Sequence, residues 1–206
     1  MQLSKGQNAP LDQADVTVRC TWHQRPAIDA DLSALLLTPD GKVRGDFDFV
    51  FYNQAESRDD STHYAGKRSA GTSVEDCITV DLHRLDPEIE RIAIVLSLDA
   101  AAPATLADLG QADIAVYDAV GSALAAFTID DWSSETAAVT VEIYRRDHRW
   151  KVRAVGQGYH DGLAGLARDF GVTVDAQPSQ PAAAPVVHGP PPINWSNPPV
   201  PAGYEL

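Results

Sequence analysis

Thiols, aromatic rings and positive charge are all scarce in this chain of 206 residues. Its two cysteines, Cys20 and Cys77, are too few for a disulfide framework or a cysteine-rich metal site, and they read as reduced, half-buried thiols on strands. Lys and Arg number 16 against 29 Asp and Glu, a formal net charge of −13. That balance argues against a nucleic-acid or anionic-membrane surface, which needs a basic patch, and it suits cations or a basic partner. No apolar run approaches the ~20 residues of a membrane span, and no stretch has the layout of a secretory signal. The expectation is a soluble, cytoplasmic protein. Six histidines (His23, His63, His83, His148, His160 and His188) show no metal-ligand spacing. Ser33, Ser73 and Cys77 stand in no recognisable nucleophile elbow, so no catalytic residues and no enzymatic activity are expected.

What is present is alternation. VTVRCTW sets Val16, Val18, Cys20 and Trp22 on one face, and DFDFVFYN sets Phe47, Phe49 and Phe51 on one side. RIAIVLSL lines up Ile92, Ile94, Leu96 and Leu98, while VTVEIYRR aligns Val139, Val141 and Ile143. WKVRAV does the same with Trp150, Val152 and Ala154. Period-two runs between Gly, Pro, Asp and Asn predict half-buried antiparallel strands. Asp147-His148-Arg149 and Val120-Gly121-Ser122 read as hairpin turns. One helix is expected in HDGLAGLARDFGV, with Asp161 as N-cap and Gly171 as stop, and a further helical turn at LHRLDPEI. Many strands, few helices and no βα rhythm predict a mainly β, two-sheet antiparallel sandwich over 1–175.

Past Val174 the texture changes. The stretch 176–206 carries nine of the 14 prolines and favours extended, polyproline-like conformations. Ile193, Trp195 and Tyr204 are anchor-type side chains among those prolines. They suggest docking onto the sandwich, a second copy or a protein partner; plain disorder is the other reading. Gly156-Gln157-Gly158 lacks the Lys and Ser/Thr of a phosphate loop and reads as a turn where backbone packs closely. Arg145, Arg146, Arg149, Lys151 and Arg153 give the last hairpin a local positive face.

In order along the chain, LSKGQNAPL, DADLSALLL, FDFVFYNQ, EDCITVDL and above all YRRDHRWKVRAVGQGYHDGLAGLARDFGV resemble the TerD-type tellurium-resistance and stress-protein family. The likeness runs over residues 2–174, and its most specific piece is the hairpin end from Trp150 to Gly158. It implies a two-sheet β-sandwich that binds calcium, has no enzymatic activity and acts within larger bacterial complexes.

Calcium takes six to eight oxygen ligands. Asp29, Asp31 and Ser33 alternate, so on a strand all three project from one face, and they match the family's Asp-x-Asp-x-Ser segment. Asn53 offers an amide oxygen or is simply a turn residue. In GKRSAGTSVED (66–76), read as a Gly-punctuated loop, Glu75 and Asp76 correspond to the end of the family's acidic run. Lys67 and Arg68 fall where the family has Asp-Asn. Two opposing cations weaken any calcium site, since unit charges about 4 Å apart interact by about 4 kcal/mol at an effective dielectric of 20. Two arrangements stand open: one weakened calcium site formed by Asp29, Asp31, Ser33, Asn53, Glu75 and Asp76, or an internal salt bridge with Lys67 or Arg68 in place of the ion. The second goes with a metal-independent structural or adaptor subunit that uses the proline-rich arm for assembly.

Overall fold

The alternating runs form two antiparallel sheets packed face to face. The structure is a computed structural model that describes residues 1–26, 28–98 and 103–173; the proline-rich segment with Ile193, Trp195 and Tyr204 lies outside the described residues. In chain order the strands are Asn8–Leu11 (β1), Asp15–His23 (β2), Ala30–Leu37 (β3), Phe49–Val50 (β4), Thr62–Ala70 (β5) and Ser73–Asp81 (β6). They continue with Arg91–Leu98 (β7), Ala112–Asp118 (β8), Ala123–Ile129 (β9), Ala137–Arg146 (β10) and Arg149–Tyr159 (β11). One sheet has the order β1-β11-β10-β7-β3-β4 and the other β5-β6-β2-β8-β9. Two short helices, Leu106–Leu109 (α1) and Gly162–Phe170 (α2), complete the described residues. None is long and apolar enough to cross a membrane.

The inner faces carry the core. Val16, Val18, Cys20 and Trp22 from β2 meet Ile92, Ile94 and Leu96 from β7 and Val152 and Ala154 from β11, all buried. Burying one such large apolar side chain contributes about 1.5–3 kcal/mol. The sequence predicts half-buried strands, and β7 departs from this by being buried on both sides. Its outward Ala93 and Val95 join Leu35, Leu37 and Val139 in a second cluster roofed by Leu166 and Phe170 of α2. Gly171 ends that helix in the left-handed conformation (φ 77°), as expected. Asp161 does sit at the N-cap, but it makes no side-chain capping bond; its carboxylate pairs with Arg168 instead.

Four local expectations are corrected. Val139, Val141 and Ile143 do not share a face, because the register shifts between Val139 and Val141 against both neighbouring strands. Thr140 at the bulge is fully buried, and its hydroxyl donates to the Ile94 carbonyl at 3.0 Å. A bulge bends the strand and re-aims its side chains, which turns Val139 toward α2 while Val141 and Ile143 stay in the main core. LHRLDPEI forms turns and no helix; the extra helix is α1, started by a Thr105–Asp108 capping box. GKRSAGTSVED is a β-hairpin and not an open loop. Ala70 pairs with Ser73 around Gly71 (φ 66°), and Gly66 (φ 102°) sits at a register shift in β5. The DFDFVFYN segment is not one strand either. Asp46–Asp48 make a 3-10 turn before the two-residue β4.

That last difference has an ionic cause. Asp48 is fully buried, and Arg44 turns back onto it, donating from its backbone N–H (3.0 Å), Nε (2.9 Å) and Nη2 (2.9 Å). Arg44 Nη1 also reaches Asp86 and, at 3.3 Å, Glu88. The Glu88 N–H and then Arg44 hold the Asp86 carboxyl below the usual carboxylate range. Burial alone would raise Asp59, yet bonds from Ser61, the Asp86 N–H and Ser57 outweigh it and hold that group low too. Carboxyls with lowered folded-state pKa values stabilise the fold above the ordinary carboxylate range, and that contribution is lost as pH falls through the folded-state values. The melting temperature should therefore drop steeply below about pH 4. Equal melting temperatures at about pH 3 and 7 would show that these bonds contribute nothing.

Candidate functional site: an acidic corner closed by lysine

The β5–β6 hairpin and the start of β3 meet where the six-stranded sheet is left open. Strand β4 pairs with β3 only at Ala34 and Leu35, so on that side the stretch from Ala30 to Ser33 has no strand beside it among the described residues. Inward-pointing positions of β6 run Val74, Asp76, Ile78 and Val80, which puts a carboxylate on the core side. Asp76 is fully buried. Its Oδ2 accepts the Leu32 N–H across the sheets at 2.9 Å, and its Oδ1 accepts the Cys77 N–H at 2.9 Å. Burial raises the Asp76 pKa, and the Leu32 N–H, Tyr64, the Lys67 charge and the Cys77 N–H only partly offset that.

Lys67, opposite Asp76 in the hairpin register, reaches past it to β3. Its Nζ donates to Asp29 Oδ1 at 2.8 Å and to Asp31 Oδ1 at 2.7 Å. Burial works against the ammonium charge, but the bonds to Asp29 and Asp31 prevail and hold its pKa above the ordinary lysine value. Arg68 pairs with Glu75 on the other face, donating to Oε2 from Nε (2.8 Å) and Nη2 (2.6 Å). Arg19 lies 3.7 Å from that same oxygen and rests over the Tyr117 ring at 4.6 Å.

Four of the six sequence-predicted residues, Asp29, Asp31, Glu75 and Asp76, thus engage Lys67, Arg68 or neighbouring backbone. Ser33 and Asn53 take no part in that bonding. The Ser33 hydroxyl is buried and unpartnered among the described residues, and Asn53 sits at the exposed tip of the Phe51–Gln54 turn. Tyr64 and Arg19 were not anticipated from the sequence. Their strand parity was readable, but the pairing of β5, β6 and β2 that brings them here was not.

These atoms do not fit a calcium ion as arranged. An ammonium stands where Asp29 and Asp31 converge, both Asp76 oxygens are engaged by backbone N–H groups, and Glu75 faces a guanidinium. Among the described residues no group of three or more His, Cys, Asp or Glu side chains is placed to share a metal. Both thiols are free; Cys20 is fully buried, deeper than the half-burial expected, and Cys77 lies on the opposite face. The Gly156-Gln157-Gly158 stretch is strand and not turn, and its close packing is against a side chain. A Cβ on Gly158 would lie 2.1 Å from Glu135 Cγ.

Comparison with known proteins adds the lineage. The tellurium resistance protein TerD of Serratia marcescens is 35% identical over 188 residues, covering 84% of this chain and 97% of its own. General stress protein 16U of Bacillus subtilis (strain 168) is 31% identical over 191 residues, 84% of this chain and 98% of its own. A solved homologue of telluride resistance protein TerD from Streptomyces coelicolor A3(2) shares the fold with a TM-score of 0.60 at 20% identity, over 75% of this chain and 95% of that one. The TerD domain model matches residues 1–170, and this chain belongs to the TerD domain family.

Proposed function

We propose that this protein is a non-catalytic, cytoplasmic stress-response component of the tellurium-resistance type whose acidic corner is held by a lysine and not by calcium. The names of its relatives, a tellurium resistance protein and a general stress protein, support the stress assignment. The observation that carries the metal-independent part is the Lys67 Nζ within 2.8 and 2.7 Å of Asp29 and Asp31. An ammonium fixed between two carboxylates offsets half of their charge and ties them together at any free calcium level, so the rim stays ordered without a signal from the ion. In this reading the protein is a constitutively folded adaptor within a larger assembly, and its partners recognise a rim that is always formed.

A calcium titration of the chelator-treated full chain, by calorimetry and thermal melting, tests this. The expected result is no heat and no change in melting temperature up to about 1 mM calcium; a site with a Kd of about 10 µM would stabilise the fold by about 2.7 kcal/mol there. The double variant Lys67→Asp with Arg68→Asn removes both cations and adds oxygens, and it should gain a calcium-dependent rise. A rise in the unmodified chain that Asp29→Asn with Asp31→Asn abolishes would overturn the proposal in favour of a retained calcium site. The buried Ser33 hydroxyl, lacking a partner among the described residues, is the one observation that favours such a ligand here.

A further inference from the structure

The outer face of the six-stranded sheet is divided in two. Helix α2 covers the half over Leu35, Leu37, Ala93 and Val95. On the other half the registers lay out a basic surface row by row. Arg153 is paired with Glu142, Lys151 with Tyr144, and Arg149 with Arg146, while Arg91 of β7 stands on the far side of Tyr144. Five basic side chains share this face (Arg91, Arg146, Arg149, Lys151 and Arg153), while Arg145 turns to the other side over the Trp150 ring at 4.7 Å. The hairpin from Glu142 to Arg153 holds only two of the chain's 29 acidic residues. Glu142 offers little negative charge to a visitor. It is only 5% exposed and lies beneath Arg91 (3.3 Å) and Arg153, which it holds in place. Arg153 also rests over the Tyr144 ring, 5.7 Å from its centroid. The other acid, Asp147, is almost wholly exposed at the turn, 3.9 Å from Arg146, and such a pair contributes little.

We propose that this basic half-face docks the acidic surface of a second copy of this chain. Charge complementarity makes the argument. Exposed carboxylates such as Asp15, Asp108, Asp130 and Asp131 lie off this face and make no ion pair among the described residues, so each copy offers the complement of its own basic face. At physiological ionic strength the Debye length is about 8 Å, so the facing patches and not the two net charges decide the encounter. A polyanion such as RNA or an anionic bilayer spreads far beyond the patch and meets the acidic remainder of the molecule. Because the two surfaces differ, the contact is heterologous and generates rings or chains of copies.

Sedimentation velocity of the full chain over a range of concentrations tests this. The expected result is reversible self-association at about 0.15 M salt that weakens at least tenfold at about 1 M. Reversal of the face by Arg146→Glu, Arg149→Glu and Lys151→Glu should leave a folded monomer, with far-UV circular dichroism and melting as the check on folding. Equal reversal off the face, at Lys5, Arg25 and Arg58, reaches the same net charge and should leave association intact. A monomer at all concentrations overturns the proposal, as does loss of association in both variants alike. So does a monomer that binds anionic vesicles or RNA through Arg146, Arg149 and Lys151.

Discussion

Replacing Arg44 by alanine is expected to destabilise the protein by about 3–5 kcal/mol, because it strands the fully buried Asp48 carboxylate without its cation. At roughly 2–4 °C per kcal/mol for a domain of this size, that is a fall in melting temperature of about 6–20 °C. The loss extends beyond one pair. The same guanidinium reaches Asp86 and Glu88, so it joins the turn before β4 to the connection between β6 and β7. Removing both partners, as Arg44→Met with Asp48→Leu, should cost much less than Arg44→Ala alone, since no buried charge is then left unpaired. Denaturant melts of the single and double variants decide this. A single-variant cost under about 1 kcal/mol would place Asp48 in contact with water.

Asp76→Ala is the second large effect, expected at about 3 kcal/mol or more. The side chain is not a solvated acid at a loop end. It substitutes for a missing strand, accepting the Leu32 N–H where β4 fails to reach. Truncation leaves the Leu32 and Cys77 N–H groups without this acceptor, and each buried orphan costs about 1–3 kcal/mol. Asp76→Asn keeps one oxygen and should recover part of the loss. Because burial raises the Asp76 pKa, the folded state binds a proton more readily than the unfolded chain. The stability that Asp76 contributes is therefore full below the ordinary carboxylate range and declines as pH rises through the raised value. Neither alanine nor asparagine titrates, so both variants should lose less relative to the unmodified chain at pH 8 than at pH 5, with the gap between them unchanged. Melting all three at both pH values checks this; identical losses for Ala and Asn would remove the acceptor role.

The sandwich was legible because period-two patterning reports which side of a strand is buried, as Val16, Val18, Cys20 and Trp22 demonstrate. It failed where a local insertion resets the phase. The bulge at Thr140 splits Val139 from Val141, and nothing in a run of alternating β-branched residues announces such an insertion. It failed again at β7, where full burial depends on which face α2 covers, a long-range fact. The acidic corner was legible as a composition of residues but not as geometry. Asp29 and Lys67 lie 38 residues apart, and their meeting depends on the gap that the short β4 leaves. The sequence does carry one signal of that geometry. In the series Val74, Asp76, Ile78, Val80 the acid occupies a core position, which marks it as bonded internally and not offered to an ion in solution.

The N-terminal segment bears on how the chain is made. Leu3 is buried in the core, and Met1 to Leu3 run beside the far edge of β9, with the Leu3 N–H on the Ala126 carbonyl at 2.7 Å and the Ala126 N–H on the Met1 carbonyl at 2.8 Å. A few residues later β1 pairs with β11 of the opposite sheet. One stretch of 11 residues therefore laces both sheets together along their shared seam. During synthesis it leaves the ribosome well before the strands it pairs with, Ala123–Ile129 and Arg149–Tyr159. At about 5–20 residues per second, that is a wait of roughly 6–30 s with Leu3 unburied. Closure of the seam pairs residues as far apart as Asn8 and Arg153 and is thus among the most non-local events of folding, and the nascent chain is open to chaperones, and to mispairing with a neighbouring copy, during that interval.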